Sequence, residues 1–215
     1  MTAGELPAIT ERLPQNPVLI EPVENLGSYG GTWQMGMRGN ADRAMIYRSI
    51  GYEHLLRWDP AWTRVIPNVA QSYSVSDDAT IFTFKLREGM RWSDGHPFSA
   101  EDILFWYEDV LKNPELTPVP PQWMIAGGKL VEVGQINLHT VQFRFAAPNG
   151  LFPQLIASGQ DSGGTVNFPK HWLKQYHIRY NPEGIAAHIK AAGATTWVDL
   201  FRLKSADEHV PKSLA

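Results

Sequence analysis

The stretch LREGMRWSDGHPFSAEDILFWYEDVL, from Leu86 to Leu111, decides the reading of the chain. Asp94, His96, Glu101 and Asp102 crowd into nine positions, which raises the question of a catalytic cluster. Local chemistry predicts something else. Phe84 and Leu86 end a strand, and Ser93–Gly95 form a turn, because aspartate accepts from backbone N–H groups and glycine tolerates positive φ. Ser99 is placed as a helix N-cap, with Asp102 three residues on as an aspartate version of the capping box. Phe98 and Ile103 occupy the two positions of a hydrophobic staple. Glu101 and Asp102 fall in the first turn, where carboxylates offset the helix dipole. Ile103, Trp106, Tyr107, Val110 and Leu111 keep helical spacing, and Asn113-Pro114 stops the helix. Every carboxylate after the turn has a structural task, so the cluster is read as architecture.

Working outward, the flanking segments carry strand signals. In NVAQSYSVSDDATIFTFKLR, Tyr73 and Val75 alternate, Asp77-Asp78 turn, and Phe82, Phe84 and Leu86 alternate, which predicts a β-hairpin with one buried face. KLVEVGQINLHTVQFRF predicts a second hairpin with Val141, Phe143 and Phe145 on one face. GGTWQMGM (Gly30–Met37) gives a short strand signal, and residues 41–50 are placed in a helix. Residues 1–31 hold prolines 7, 14, 17 and 22 and are expected to form an extended arm. Residues 113–129 are expected to be a loop. LFPQLIASG is a short helix closed by Gly159, and FPKHWLKQY is another. NPEGIAAHIKAAG starts with Asn181 as N-cap and Pro182 at the first helical position, and ends at Gly193. TTWVDLFRLK is a last helix with Thr196 as N-cap, and the tail after Lys204 is expected to fray. Together these predict an α+β fold of antiparallel hairpins with peripheral helices.

Composition narrows the function classes. The 215 residues are 43% hydrophobic and 19% charged, enough for a packed core in one or two domains. Net charge is −3 with lysine and arginine scattered, which argues against a nucleic-acid protein. No apolar run approaches the roughly 18 residues of a membrane span. The N-terminal stretch has neither a basic n-region nor an apolar h-region, so it is not read as a signal peptide. Cysteine is absent, which excludes disulfides and thiolate chemistry but leaves the compartment open. Eight tryptophans suit a core and equally a sugar or peptide cleft. The seven histidines form no tight ligand pattern, and neither a P-loop nor a dinucleotide fingerprint exists, so no metal and no cofactor is expected. GQDSGG (Gly159–Gly164) resembles the nucleophile segment of trypsin-like serine proteases, and AAHI (Ala186–Ile189) echoes their histidine segment. The order is reversed relative to that family and the rest of its pattern is missing. A Gly-rich loop presenting Gln160, Asp161 and Ser162 to a binding cleft is the preferred reading, with a Ser162 hydrolase as a weak rival.

From about Tyr47 to Leu111 the chain resembles the family 5 extracellular solute-binding proteins, the peptide- and oligopeptide-binding receptors of bacterial ABC importers. The family pattern P-x-x-A-E-S-W-x-V-S-x-D-G, an alternating strand, then L-R-x-G-V-K-W-S-D-G-x-P-x-T-A-E-D-V-x-F, stands here as Pro67 followed by NVAQSYSVSDDATIFTFKLREGMRWSDGHPFSAEDILF. The departures are Gln71 for Glu, Tyr73 for Trp, Ala79 for Gly, Met90 for Val and Ser99 for Thr. NFPKHWLKQY is similar to a later P-K-H helix of the family. The resemblance implies the N-terminal part of a periplasmic-binding-protein type II-like fold, in a family whose full-length members close two lobes on a ligand. It implies an extended arm and first lobe strand over 1–35, a small inserted α+β domain over 36–165, and a helical return into the lobe over 166–215. It implies non-catalytic capture of a small-molecule or peptide ligand for ABC permease subunits, in the periplasm or outside the cell and at the membrane through the transporter. The full-length form is expected to be a monomer, without nucleic acid as partner. A ligand-sensing domain of a regulator is the alternative. Carried over by position, Trp33, Gln34 and Met35, and more loosely Trp123 and Met124, are expected to approach the ligand, with the Gly-rich loop as a third site.

Overall fold

The computed structural model describes residues 11, 13–28, 30–32, 34–39, 42, 53–158, 165–206, 211, 213 and 214. The helix expected over 41–50 therefore lies outside the described residues, apart from Asp42, and so do Gly159 and the Gly-rich loop.

A four-stranded antiparallel sheet organises the molecule. Strands β3 (Ala70–Val75), β4 (Ile81–Leu86), β8 (Glu132–Asn137) and β9 (Thr140–Arg144) run in the order β3-β4-β9-β8. Both expected hairpins are present and are joined side by side through β4 and β9. Phe82 stands opposite Phe143 and Phe84 opposite Val141, so the two alternating faces meet in register and bury the same side. One detail differs from expectation. Val75 is 42% exposed and Tyr73 only half-buried, because β3 is an edge strand and its end lies beyond the covering layer. The β3–β4 turn is held by Asp78, whose carboxylate accepts from the Ser76 hydroxyl (2.6 Å) and the Thr80 hydroxyl (2.9 Å).

Helix α1 (Ala100–Phe105) covers the buried face and runs into a π-helical turn, Trp106–Leu111, closed by Lys112 N–H donating to the Tyr107 carbonyl at 3.0 Å. Ile103, Trp106, Tyr107, Val110 and Leu111 are all buried, as their spacing predicts. Asn113 ends the run by accepting from the Glu115 N–H at 2.9 Å. The short helix α2 (Phe152–Ile156) packs Phe152 onto Phe82, Phe84, Phe143 and Phe145. Helices α3 (Lys170–Leu173) and α5 (Trp197–Ser205) add Leu173 and Phe201 to one shared core, where Phe201 meets Phe105, Phe168 and His177, and α4 (Ile185–Ala192) packs against α5. The fold is the expected α+β arrangement.

Several local expectations need correction. α4 begins three residues later than expected, with Gly184 rather than Asn181 at its N-cap. The Asn181 side chain accepts from Gly184 N–H at 3.1 Å and closes a separate turn first. A Cβ at Gly184 would stand 2.5 Å from the Asn181 side-chain oxygen, so a larger residue there would require the Asn181 side chain to move. The left-handed Gly193 ends α4 as predicted. The tail is not wholly frayed: Ser213–Leu214 (β10) pairs antiparallel with Arg91–Trp92 (β5), which offers an open strand edge. The described residues of Gly30–Met37 are unpaired, and left-handed φ angles of 104° and 86° at Gly30 and Gly31 break the extended run. Two hairpins escaped the sequence reading: β1 (Leu56–Trp58) with β2 (Val65–Pro67), and β6 (Ile125–Ala126) with β7 (Lys129–Leu130) across the end of the expected loop.

His54 and His177 are buried. Burial lowers the pKa of His54 from 6.5 to about 4. Its folded value lies below its unfolded one, so the neutral ring's contribution is complete above pH 6.5 and is lost as pH falls toward 4. Denaturant unfolding is expected to show this group costing about 2 kcal/mol of stability between pH 7.5 and pH 5. The His54→Gln variant should lack that part of the slope; an unchanged slope would sink the assignment.

Candidate functional site

The polar cluster of the opening stretch is a clamp between the Ser93–Gly95 turn, α1 and α3. Ser99 and Asp102 form the predicted reciprocal capping box. Asp102 accepts from the Ser99 N–H at 3.0 Å and the Trp92 indole N–H at 3.4 Å, and its other oxygen accepts from the Lys170 N–H at 2.9 Å. Burial pushes its carboxyl above the ordinary value, with the N–H donors of Lys170, Ser99 and Trp92 pulling the other way. Glu101 pairs with the Lys170 ammonium at 3.1 Å. Asp94 bonds His171 Nε2 at 2.7 Å and accepts from the His96 N–H at 3.0 Å. Burial acts against that carboxylate, but these hydrogen bonds win and hold it below its usual range. The His96 and His171 rings stack with centroids 3.8 Å apart. A cavity of about 250 Å³ lies among these side chains. The residues that suggested catalysis are engaged in holding three elements together.

A second network ties residues 177–180 to the π-helical turn that follows α1. The buried Asp109 carboxylate accepts from Arg179 and from the Tyr180 hydroxyl, both at 2.6 Å, and its backbone carbonyl lies 3.0 Å from His177 Nε2. Burial and the Asp109 charge push Tyr180 up to about 12.

A concavity of about 540 Å³ lies elsewhere, between the arm at residues 18–23 and the β1–β2 hairpin. Its volume falls within the roughly 300–1,000 Å³ of small-ligand sites. Leu19, Ile20 and Glu21 line one side, and Arg57, Ala61 and Arg64 the other. Asp59 braces the hairpin turn. Its carboxylate accepts from the Thr63 hydroxyl and the Thr63 N–H, both at 2.7 Å. The Thr63 hydroxyl bond is the largest influence that holds this carboxyl below its ordinary value. Trp62 occupies the turn with a left-handed φ of 57° and stacks on Trp58, ring centroids 6.0 Å apart.

The expected ligand residues are dispersed. Gln34 is exposed and Met35 half-buried. Trp123 stacks between Trp106 and Phe152, with its indole N–H buried and without an acceptor. Met124 is fully buried in the main core. Trp33, Gln160, Asp161 and Ser162 lie outside the described residues. Sequence reasoning passed over the arm–hairpin concavity, for which the Asp59-Pro60 turn inside an aromatic pair was the available signal. Among the described residues no three acidic or histidine side chains gather to hold a metal ion, and no helix is long and apolar enough to cross a membrane.

The antiparallel sheet, its capped helix and the helices of residues 170–205 define a segment of a periplasmic binding protein-like fold, shared with solved structures over nearly the whole chain. Residues 64–172 match the family model described as bacterial extracellular solute-binding proteins, family 5, middle region. The chain belongs to this family. A solved oligopeptide-binding protein, OppA, superposes with a TM-score of 0.87 at 35% identity, over 97% of this chain and 32% of its own. The periplasmic binding protein MelB of Agrobacterium fabrum C58, solved with stachyose, has a TM-score of 0.64 at 24% identity, over 98% of this chain and 32% of its own. The periplasmic alpha-galactoside-binding protein of Rhizobium meliloti (strain 1021) is 28% identical over 197 residues, covering 83% of this chain. The chain spans 28% of that relative's length.

Proposed function

We propose that the chain is part of the substrate-binding component of an ABC importer, which captures a peptide-like or other small solute without altering it and delivers it to a membrane permease. The observation that supports this reading is the family match over residues 64–172, which contains the whole clamp built on Leu86–Leu111. The clamp's polar groups are engaged in structure, so the chemistry expected of the chain is recognition. The names of similar proteins bracket the ligand between oligopeptides and α-galactosides. The expected division into 1–35, 36–165 and 166–215 fits a lobe strand, an inserted domain and a return, and a second lobe would close on the solute by hinge motion. Trp33, Gln34 and Met35, Trp123, and the Gln160–Ser162 loop stay proposed as ligand-facing positions, whereas Met124, fully buried in the main core, does not. The protein would act as a periplasmic or extracellular monomer docking on its permease. Deleting the gene in its host is expected to abolish uptake of one labelled solute class and leave the permease present. Unchanged uptake across oligopeptides and oligosaccharides would overturn the proposal.

A further inference from the structure

Asn149-Gly150 is the only Asn-Gly pair in the chain, and it leads directly into α2. Asn149 is tied at three points. Its N–H donates to the Ala79 carbonyl at 2.9 Å, its carbonyl accepts from the Phe152 N–H at 2.9 Å, and its carboxamide donates to the Trp123 carbonyl at 3.4 Å. The last bond lies beyond the usual N–H···O range, so it restrains the carboxamide weakly. Gly150 is exposed, and among the described residues its N–H meets no acceptor. Nothing lies within 4 Å of a Cβ built on it. A main-chain nitrogen with no hydrogen bond and no flanking side chain thus follows a loosely held carboxamide.

We propose that Asn149 is a self-modification site, which converts in the folded chain through a succinimide to aspartate and isoaspartate. The Gly150 nitrogen gives its proton to solvent base and attacks Asn149 Cγ. The new N–Cγ bond closes the ring, the Cγ–Nδ2 bond breaks, and Nδ2 takes up a proton and leaves as ammonia. One water then opens the ring. Cleavage between Cγ and the Gly150 nitrogen restores the main chain with an aspartate at 149. Cleavage between the main-chain carbonyl carbon and that nitrogen leaves the chain running through the side chain. Water enters, ammonia leaves, and nothing is oxidised or reduced. Asp94-Gly95, the one Asp-Gly pair, is closed to the same cyclisation. Its Gly95 N–H donates to the Trp92 carbonyl at 2.8 Å, and the Asp94 carboxylate is held by His171 at 2.7 Å and the His96 N–H at 3.0 Å. At Asn149 either product replaces the carboxamide donor with a carboxylate, which meets the Trp123 carbonyl as acceptor against acceptor. Isoaspartate also lengthens the main chain just before Phe152, the ring that packs on Phe82, Phe84, Phe143 and Phe145.

The test is incubation of the folded 215-residue chain at neutral and at mildly alkaline pH, followed by peptide mass mapping and enzymatic methyl labelling of isoaspartate. The peptide holding Asn149 should gain the mass of an amide-to-acid conversion and split into two products, one of them methyl-labelled. The rate should rise with pH, because the attacking nitrogen must lose its proton. The peptide holding Asp94-Gly95 should stay unlabelled over the same period. Gly150→Ala is accommodated, since φ there is not left-handed and the space is open, and it should keep the melting temperature while slowing the conversion at least about tenfold. Asn149→Asp supplies one product directly. It should lower the melting temperature by about 2–4 °C and shift the Trp123 indole N–H signal in NMR. No conversion in the folded chain, conversion only after denaturation, an equal rate in Gly150→Ala, or equal labelling at Asp94 overturns the site. An Asn149→Asp variant with unchanged melting temperature and Trp123 signal overturns its effect on the core.

Discussion

Replacing Phe152 with alanine is expected to lower the unfolding free energy by about 3–5 kcal/mol, the range for deleting a large aromatic side chain from a packed core. Phe152 is fully buried, and its ring centroid lies 4.9 Å from those of Phe82 and Phe145, 5.3 Å from Phe143 and 6.0 Å from Trp123. These partners come from β4, the end of β9 and the loop before β6, so one side chain joins three segments distant in sequence. α2 has only five residues and no side-chain N-cap, so propensity alone cannot hold it. Urea unfolding monitored by near-UV circular dichroism should show the midpoint falling, with loss of aromatic signal before loss of sheet. Leu155→Ala on the same helix, partly exposed at 37%, is the control and should cost under about 1 kcal/mol. A Phe152→Ala cost as small as the control's would contradict this account of the core.

Asp102→Ala is expected to cost about 3 kcal/mol, much more than an ordinary helix cap, for which about 1 kcal/mol is typical. The carboxylate serves α1 through Ser99, the turn through Trp92 and α3 through Lys170. Its removal leaves buried or half-buried donors without acceptors, each costing about 1–3 kcal/mol, with some recovery by water. The neighbouring Glu101→Ala removes only a half-exposed pair with Lys170 and should cost under about 1 kcal/mol. Hydrogen exchange separates the roles: in Asp102→Ala the Lys170 amide should lose protection together with those of the first turn of α1. Loss in α1 alone would reduce Asp102 to a local cap and remove the clamp to α3.

What could be read in the sequence divides by distance along the chain. Ser99 with Asp102, and Thr196 with Asp199, announce their helices because both members of each capping box lie within one turn. The alternation of Phe82, Phe84 and Leu86 announces β4 because strand period is local. The side-by-side joining of the two hairpins and the shared core of Phe105 and Phe201 depend on partners far apart in sequence. The Asp94–His171 pair spans 77 positions and looked in the sequence like two unrelated residues. β1 and β2 were missed because three-residue strands carry no period to detect. Asn181 misplaced a helix start because the same side-chain hydrogen bond closes either a helix or a single turn. Of the candidate site, the arm strand was overestimated because Gly30 and Gly31 can turn left-handed, and the Trp58–Trp62 stack was invisible because a positive φ at tryptophan contradicts its propensity.

A receptor that closes two lobes on its ligand divides the contacts between them, and this chain spans 28–32% of the length of the relatives above. On the proposed two-lobed capture, much of the contact surface would lie outside these residues, and affinity falls steeply with lost contacts. The most direct measurement is calorimetric titration of the 215-residue chain against a panel of oligopeptides and oligosaccharides, with the solute recovered and its mass checked. Dissociation constants in the millimolar range or weaker, with every solute returned intact, are predicted. Sub-micromolar binding by this chain alone, or a chemically altered solute, would contradict capture shared between two lobes.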